Sequence, residues 1–132
     1  MEVPAEIAKT IIIEEIDQQV IVLREKGSEQ RSFPVVIGMS EIFAIDRRMK
    51  GIALPRPLTH DLLEQVIEKM NGVIQKVVIS DLRDHTFFAT IHVRRDGEMI
   101  EIDSRPSDAL ALSAGLKIPL FVEDYVFDSL GR

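Results

Sequence analysis

A chain of 132 residues, 45% hydrophobic and 29% charged, is long enough to bury a core and is expected to form one domain over residues 1–132. It contains no cysteine, which excludes disulfides, thiolate metal ligands and a thiol nucleophile. The formal net charge of −6 argues against loose electrostatic attachment to nucleic acid, so any such binding must rest on local basic groups or a metal ion.

The opening Met1-Glu2-Val3-Pro4-Ala5-Glu6 is acidic and lacks the basic and apolar regions of a signal peptide. No apolar run approaches the ~20 residues of a membrane span, so a cytoplasmic protein without a membrane partner is expected. Residues 7–16 include the β-branched run Ile11-Ile12-Ile13 and predict a first strand. Asp17-Gln18-Gln19 reads as a turn, residues 20–23 as a second strand, and Lys26-Gly27-Ser28 as another turn. A third strand covers residues 33–37, where Pro34 marks a sheet edge or a strand start. Ser40 is expected to cap a helix over residues 41–49 that turns Ile42, Ile45 and Met49 inward. Arg47, Arg48 and Lys50 then complement the negative end of its dipole.

Residues 51–57, with Pro55 and Pro57, form a loop. Thr59 is expected to cap a helix over residues 60–70, closed by Asn71-Gly72, with Leu62, Leu63, Val66, Ile67 and Met70 as a core stripe and Glu64 and Glu68 toward water. A strand over residues 73–82, a turn at 81–84 and a long strand over 85–95 follow. Asp96-Gly97 is a strong two-residue hairpin signal. The return strand covers residues 98–103, a helix runs from Pro106 to about residue 116, and Phe121-Val122 precedes a short helix near residues 124–130. The same offset separates Ser40 from Ser107 and Lys50 from Lys117, which points to an internal duplication of a hairpin-plus-helix unit. The fold class is therefore α+β, a mixed or antiparallel sheet of hairpins with packed helices.

A two-residue loop at Asp96-Gly97 fixes the strand register. On one face Arg95 opposes Glu98, Val93 opposes Ile100, and Ile91 opposes Ile102, so Val93, Ile91, Ile100 and Ile102 are expected to form the core face. On the other face Arg94 opposes Met99, His92 opposes Glu101, and Thr90 opposes Asp103. His92, Glu101 and Asp103 thus form a candidate metal or acid–base cluster. The plainer reading is a cross-strand His–Glu pair on a solvated sheet face.

Two further stretches carry candidate chemistry. Around Asp103-Ser104-Arg105-Pro106-Ser107-Asp108 a strand turns into a helix, with Ser104 placed to cap it and Asp108 near its positive end. This is either a well-made corner or a phosphate or metal site at a helix N-terminus. In Arg56-Pro57-Leu58-Thr59-His60-Asp61 a phosphate could dock on the amides of a first helical turn beside Arg56. Capping by Thr59 and dipole complementation by Asp61 explain most of that stretch, but His60 is more than a cap requires. With three histidines and no cysteine a structural zinc site is not expected, and 5% aromatic content with no tryptophan leaves little for a stacking platform.

Arg56-Pro57-Leu58-Thr59-His60-Asp61-Leu62, Thr86-Phe87-Phe88-Ala89 and Asp103-Ser104-Arg105-Pro106-Ser107-Asp108-Ala109-Leu110-Ala111-Leu112, followed by Ile118-Pro119-Leu120-Phe121-Val122, together resemble the bifunctional nuclease (BFN) domain family. The likeness extends from about residue 11 to residue 130, with Ser113-Ala114-Gly115 a departure where the family continues as an Ala-rich helix. The resemblance implies a phosphodiesterase acting on RNA and DNA. Such a reaction needs an activated water and neutralisation of developing negative charge. Asp61, Glu101, Asp103 and Asp108 are the carboxylates available, with His92, Glu101 and Asp103 the candidate ligands for Mg²⁺ or Mn²⁺. His60 is the candidate general base or acid, with Asp61, Asp103 and Asp108 as its catalytic partners. Arg56, Arg105, Ser104 and Ser107 are the candidate substrate contacts. The rival is a non-catalytic oligomeric binding or regulatory module in which Arg105–Asp108 is a structural ion pair. In either case the Ile11-Ile12-Ile13 run predicts a homodimer or other homo-oligomer.

Overall fold

The computed structural model describes residues 1–13, 15–27, 31–116 and 118–130. Among them the chain runs β1 (Glu2–Ile11), β2 (Gln18–Glu25), β3 (Ser32–Gly38), α1 (Met39–Met49), α2 (Thr59–Lys69), β4 (Gly72–Arg83), β5 (Thr86–Arg95), β6 (Glu98–Ser104), α3 (Pro106–Leu116), β7 (Leu120–Glu123) and α4 (Asp124–Leu130). The strands form one sheet in the order β3-β2-β1-β7-β4-β5-β6. All neighbours are antiparallel except β4 and β7, which are parallel, so the sheet is mixed and the fold is α+β. Two three-strand meanders, each ending in a helix, lie on either side of β7, consistent with the duplicated unit. The Lys117 end of the second unit falls outside the described residues.

Local signals place the second meander. Asp96 and Gly97 both have positive φ, 51° and 81°, as a tight turn matched to strand twist requires. The β5–β6 register is the expected one, with Val93 opposite Ile100, Ile91 opposite Ile102, His92 opposite Glu101 and Thr90 opposite Asp103. Val93 and Ile91 are buried, whereas Ile100 and Ile102 stay partly exposed because β6 is an edge strand. The β4–β5 turn is Asp84-His85, again with positive φ at both residues, so β4 continues into the expected turn as far as Arg83.

The first strand is displaced from its expected position. It begins at Glu2, because Glu2 to Ala5 pair with β7, a partner far away in the sequence. It ends at Ile11, where the buried Gln19 amide donates to the carbonyls of Ile13 (2.8 Å) and Ile16 (2.6 Å) and bends the chain back into β2. Pro34 does lie on an edge strand, β3.

Helix α1 packs Ile42 and Ile45 into the core, but Met49 is half exposed and Arg48 is buried in its place. Ser40 is not the cap: the helix starts at Met39 and Gly38 holds the N-cap position. Helix α3 buries Ala109, Leu110, Ala111 and Leu112 completely, as its nearly unbroken apolar sequence predicts. Helix α2 departs furthest from expectation. No residue of it is buried, and Leu62, Val66 and Met70 are 53%, 45% and 57% exposed. Only Ile67 packs against the core, while Glu64 turns inward to Arg48 rather than to water. Among the described residues no helix is long and apolar enough to cross a membrane.

Candidate functional site

Each edge strand ends in a corner that leads into a helix, and both corners open on one cleft of about 520 Å³. Residues 35–38 and Glu41 line it from the β3–α1 side, residues 103–107 from the β6–α3 side, and residues 85–88 of the β4–β5 hairpin close the third side. The cleft is thus the gap left where the curled sheet brings its two edges toward each other.

Beside it, three of the expected residues meet. His60 Nε2 lies 2.9 Å from Asp108 Oδ1. Arg105 donates to the same carboxylate through Nε (3.0 Å to Oδ2) and Nη2 (3.2 Å to Oδ1). His60 comes from the first turn of α2, and Asp108 and Arg105 from the start of α3, so the cluster joins elements 48 residues apart in sequence. Burial pushes the Asp108 carboxyl up, but the hydrogen bonds from Arg105 and His60 outweigh it and hold the group below the usual carboxylate range. The cluster is open on one side: the side chains of Arg105, Asp108 and His60 are 66%, 33% and 14% exposed.

Ser104 lines the cleft but does not cap α3. The strand runs through it, and its hydroxyl donates to the Arg105 carbonyl at 2.8 Å. Ser107 is buried at the start of the helix. Asp103 lines the cleft and, among the described residues, takes part in no hydrogen bond or ion pair.

Asp61 is committed elsewhere. It accepts from the Leu58 amide at 3.0 Å, from Arg47 Nη2 at 3.0 Å, and from Arg48. It therefore secures the start of α2, where Leu58 rather than Thr59 stands at the N-cap position and no side chain of that residue caps the helix. Burial raises the Asp61 pKa, while the Leu58 amide, Arg47 and Arg48 bring it below the usual value. Arg56 is exposed on the loop before α2, and no hydrogen bond among the described residues draws it to His60 or the cleft. The three candidate metal ligands do not converge. His92 Nε2 is 3.9 Å from Glu101, whereas Asp103 opposes Thr90 two residues further along the ladder. Among the described residues no group of three or more His, Asp or Glu is placed to hold a metal ion.

Two site features were not read from the sequence. Glu41, in the first turn of α1, carries a carboxylate that is free of hydrogen bonds and ion pairs among the described residues and lines the cleft. Its signal was the Gly38-x-x-Glu41 spacing: a Cβ at Gly38 would stand 2.9 Å from both Glu41 oxygens, so a glycine leaves room for the carboxylate. Arg48, assigned above to the helix dipole, instead crosses beneath α3. Its Nε donates to the Ala111 carbonyl at 2.7 Å, and its guanidinium pairs with Asp61 and Glu64. A Cβ at Gly115 would collide with that guanidinium, which accounts for the glycine in the departure noted in α3.

A family model described as the bifunctional nuclease domain matches residues 21–132. An uncharacterized protein of Mycobacterium tuberculosis is 36% identical over 115 residues, an alignment covering 87% of this chain and 68% of that protein. Bifunctional nuclease 1 of Arabidopsis thaliana is 24% identical over 114 residues, covering 84% of this chain and 35% of the plant protein. Bifunctional nuclease 1 of Oryza sativa subsp. indica is 22% identical over 105 residues, covering 77% and 32%.

Proposed function

The chain belongs to the bifunctional nuclease domain family, and from that premise we propose that it hydrolyses phosphodiester bonds of RNA and DNA at the corner where β6 meets α3. The observation that carries the proposal is the hydrogen-bonded line His60–Asp108–Arg105, which borders the cleft through Arg105. DNA has no 2′-hydroxyl, so one site acting on both polymers uses water as nucleophile. His60 moves the proton. Its Nε2 is held by Asp108, and no hydrogen bond among the described residues engages Nδ1. Asp108 orients the ring and stabilises it when charged, the role a carboxylate has beside a catalytic imidazole. Arg105 keeps Nη1 clear of any hydrogen bond among the described residues and offers it to a phosphate oxygen. Asp61 is a positioning residue, fixing the turn of α2 that carries His60.

Mg²⁺ or Mn²⁺ commonly supports phosphodiester cleavage, held through one or two carboxylates together with substrate phosphates. The described residues offer no protein cage for such an ion, and no step is assigned to one. The proposal also includes self-association as a homodimer or other homo-oligomer. Ile11, the last residue of β1, and Ile13 just past it are exposed, and most of the apolar side of α2 lies open.

The purified chain is to be assayed on single-stranded RNA and DNA with Mg²⁺, with Mn²⁺ and with chelator. His60→Ala is expected to lower turnover by about 10²–10⁴-fold with the fold unchanged. Activity that survives His60→Ala, or that separates from the protein on a further column, would overturn the nuclease reading and leave the non-catalytic binding module. Cleavage that persists in chelator would remove the ion from the proposal.

A further inference from the structure

Building on that nuclease reading, we propose that the cleft between the two sheet edges seats a single unstacked nucleobase bearing an exocyclic amino group. The site then takes single-stranded substrate and favours cytosine or adenine over uracil or thymine at that position. At about 520 Å³ the cleft has the size of a small-molecule site, and its walls are largely apolar, with Val36, Phe88 and Pro106 among them. A base stacked within a duplex cannot enter such a recess; an extruded or single-stranded base can, gaining contact for its faces. The low aromatic content fits a place for one base rather than a platform along a strand.

The polar groups of the cleft set the edge that is read. Glu41 and Asp103 both line it and come from opposite corners; neither carboxylate has a hydrogen bond or close ion pair among the described residues, although Glu41 lies near enough to Arg105 to feel its charge. Ionised carboxylates are acceptors only, and they pair with an amino group such as that on C4 of cytosine. Uracil and thymine present a carbonyl oxygen at C4, which a carboxylate repels, so they can offer it only the single N3–H donor and pair less well. Gly38 leaves space for the Glu41 carboxylate, since a Cβ there would crowd both its oxygens. Arg105 lines the same cleft and holds Asp108, which in turn holds His60. A base seated in the cleft therefore brings its own phosphate toward Arg105, the member of the His60–Asp108–Arg105 line that borders the cleft.

The test is equilibrium binding of nucleoside 5′-monophosphates, which present base and phosphate without a diester to cut. Wild-type protein is expected to bind CMP and AMP about tenfold more tightly than UMP and TMP, within the range that one well-placed hydrogen-bonding side chain confers. Glu41→Gln, whose amide can donate to a carbonyl, should narrow or reverse that preference, and Asp103→Asn should narrow it. Equal binding of CMP and UMP, no binding of either, or a preference untouched by both substitutions would overturn the base site. The two readings fail separately. Amino-base preference in a protein that cuts no oligonucleotide would leave the base site standing and remove the nuclease reading. Cleavage lost in His60→Ala without any base preference would do the reverse.

Discussion

At the end of β3 the chain enters α1 through Gly38, and at the end of β6 it enters α3 through Arg105 and Pro106. The two halves follow the same path of meander, edge strand, corner and helix, and both corners face one cleft. Their chemistry differs. The first corner leaves a carboxylate, Glu41, with no hydrogen bond or close ion pair among the described residues and only the longer-range pull of Arg105, whereas the second ties Arg105, Asp108 and His60 into a connected line. Their helices differ too. Helix α3 is apolar nearly all round and needs only burial, while α1 carries Arg48 into the interior and depends on Asp61 and Glu64 to pair it. A repeated scaffold thus supplies the geometry twice, and each copy contributes a different half of the site.

The largest effect expected from this contrast is in the apolar helix. Leu112 is fully buried in α3, so Leu112→Ala should lower stability by about 2–5 kcal/mol in chemical denaturation. An unchanged midpoint would show that α3 is not the pillar of the second half. In α1 the matching test is Arg48→Met, which keeps aliphatic packing but takes the Arg48 donor from the Ala111 carbonyl and the counter-charge from Asp61 and Glu64. A loss of about 1–3 kcal/mol is expected; a gain in stability would mean that Arg48 is a burden rather than a strut.

The parts of the fold that were legible share one property, which is that their signal is local. Asp96-Gly97 dictated its turn, and the alternation on either side then fixed every pair from Arg95–Glu98 to Thr90–Asp103. The apolar run Ala109-Leu110-Ala111-Leu112 after Pro106 marked a buried helix. Non-local pairing was not legible. Nothing in Glu2 to Ala5 announces that β7 will lie beside it, so the first strand was placed too late in the chain. Periodicity showed which side of α2 is apolar but not whether anything covers it, and among the described residues most of that side stays exposed while Ile67 packs against the core. At the site, His60, Arg105 and Asp108 were each legible as excess polar groups at helix starts. Their meeting across α2 and α3 was not, and Glu41 and Arg48 were hidden by ordinary helix-terminus explanations.

Smaller effects sharpen the comparison. At Gly97 (φ 81°) a Cβ would meet nothing within 4 Å, so Gly97→Ala carries only the conformational cost of the left-handed region, about 1 kcal/mol. A much larger loss would indicate that the β5–β6 hairpin is held by contacts at its tip. The acid limb of the stability profile reports on the second corner. The pKa of Asp108 is lower folded than unfolded, so its stabilisation is present above the ordinary carboxylate value near 4 and is lost as pH falls through the folded value. Melting temperatures of Asp108→Asn should therefore fall less steeply than wild type on acidification below about pH 4. Parallel acid limbs would assign the acid sensitivity to the other carboxylates held below their usual range, Asp61, Glu25 and Asp81, instead.

The most direct test of the central claim is single-turnover cleavage of a single-stranded oligonucleotide by wild type and His60→Ala, each confirmed folded by circular dichroism. The account predicts that wild type cuts and that the variant is slower by about 10²-fold or more while melting at nearly the same temperature. Equal rates in the two proteins would contradict it and reduce the His60–Asp108–Arg105 line to a latch between α2 and α3.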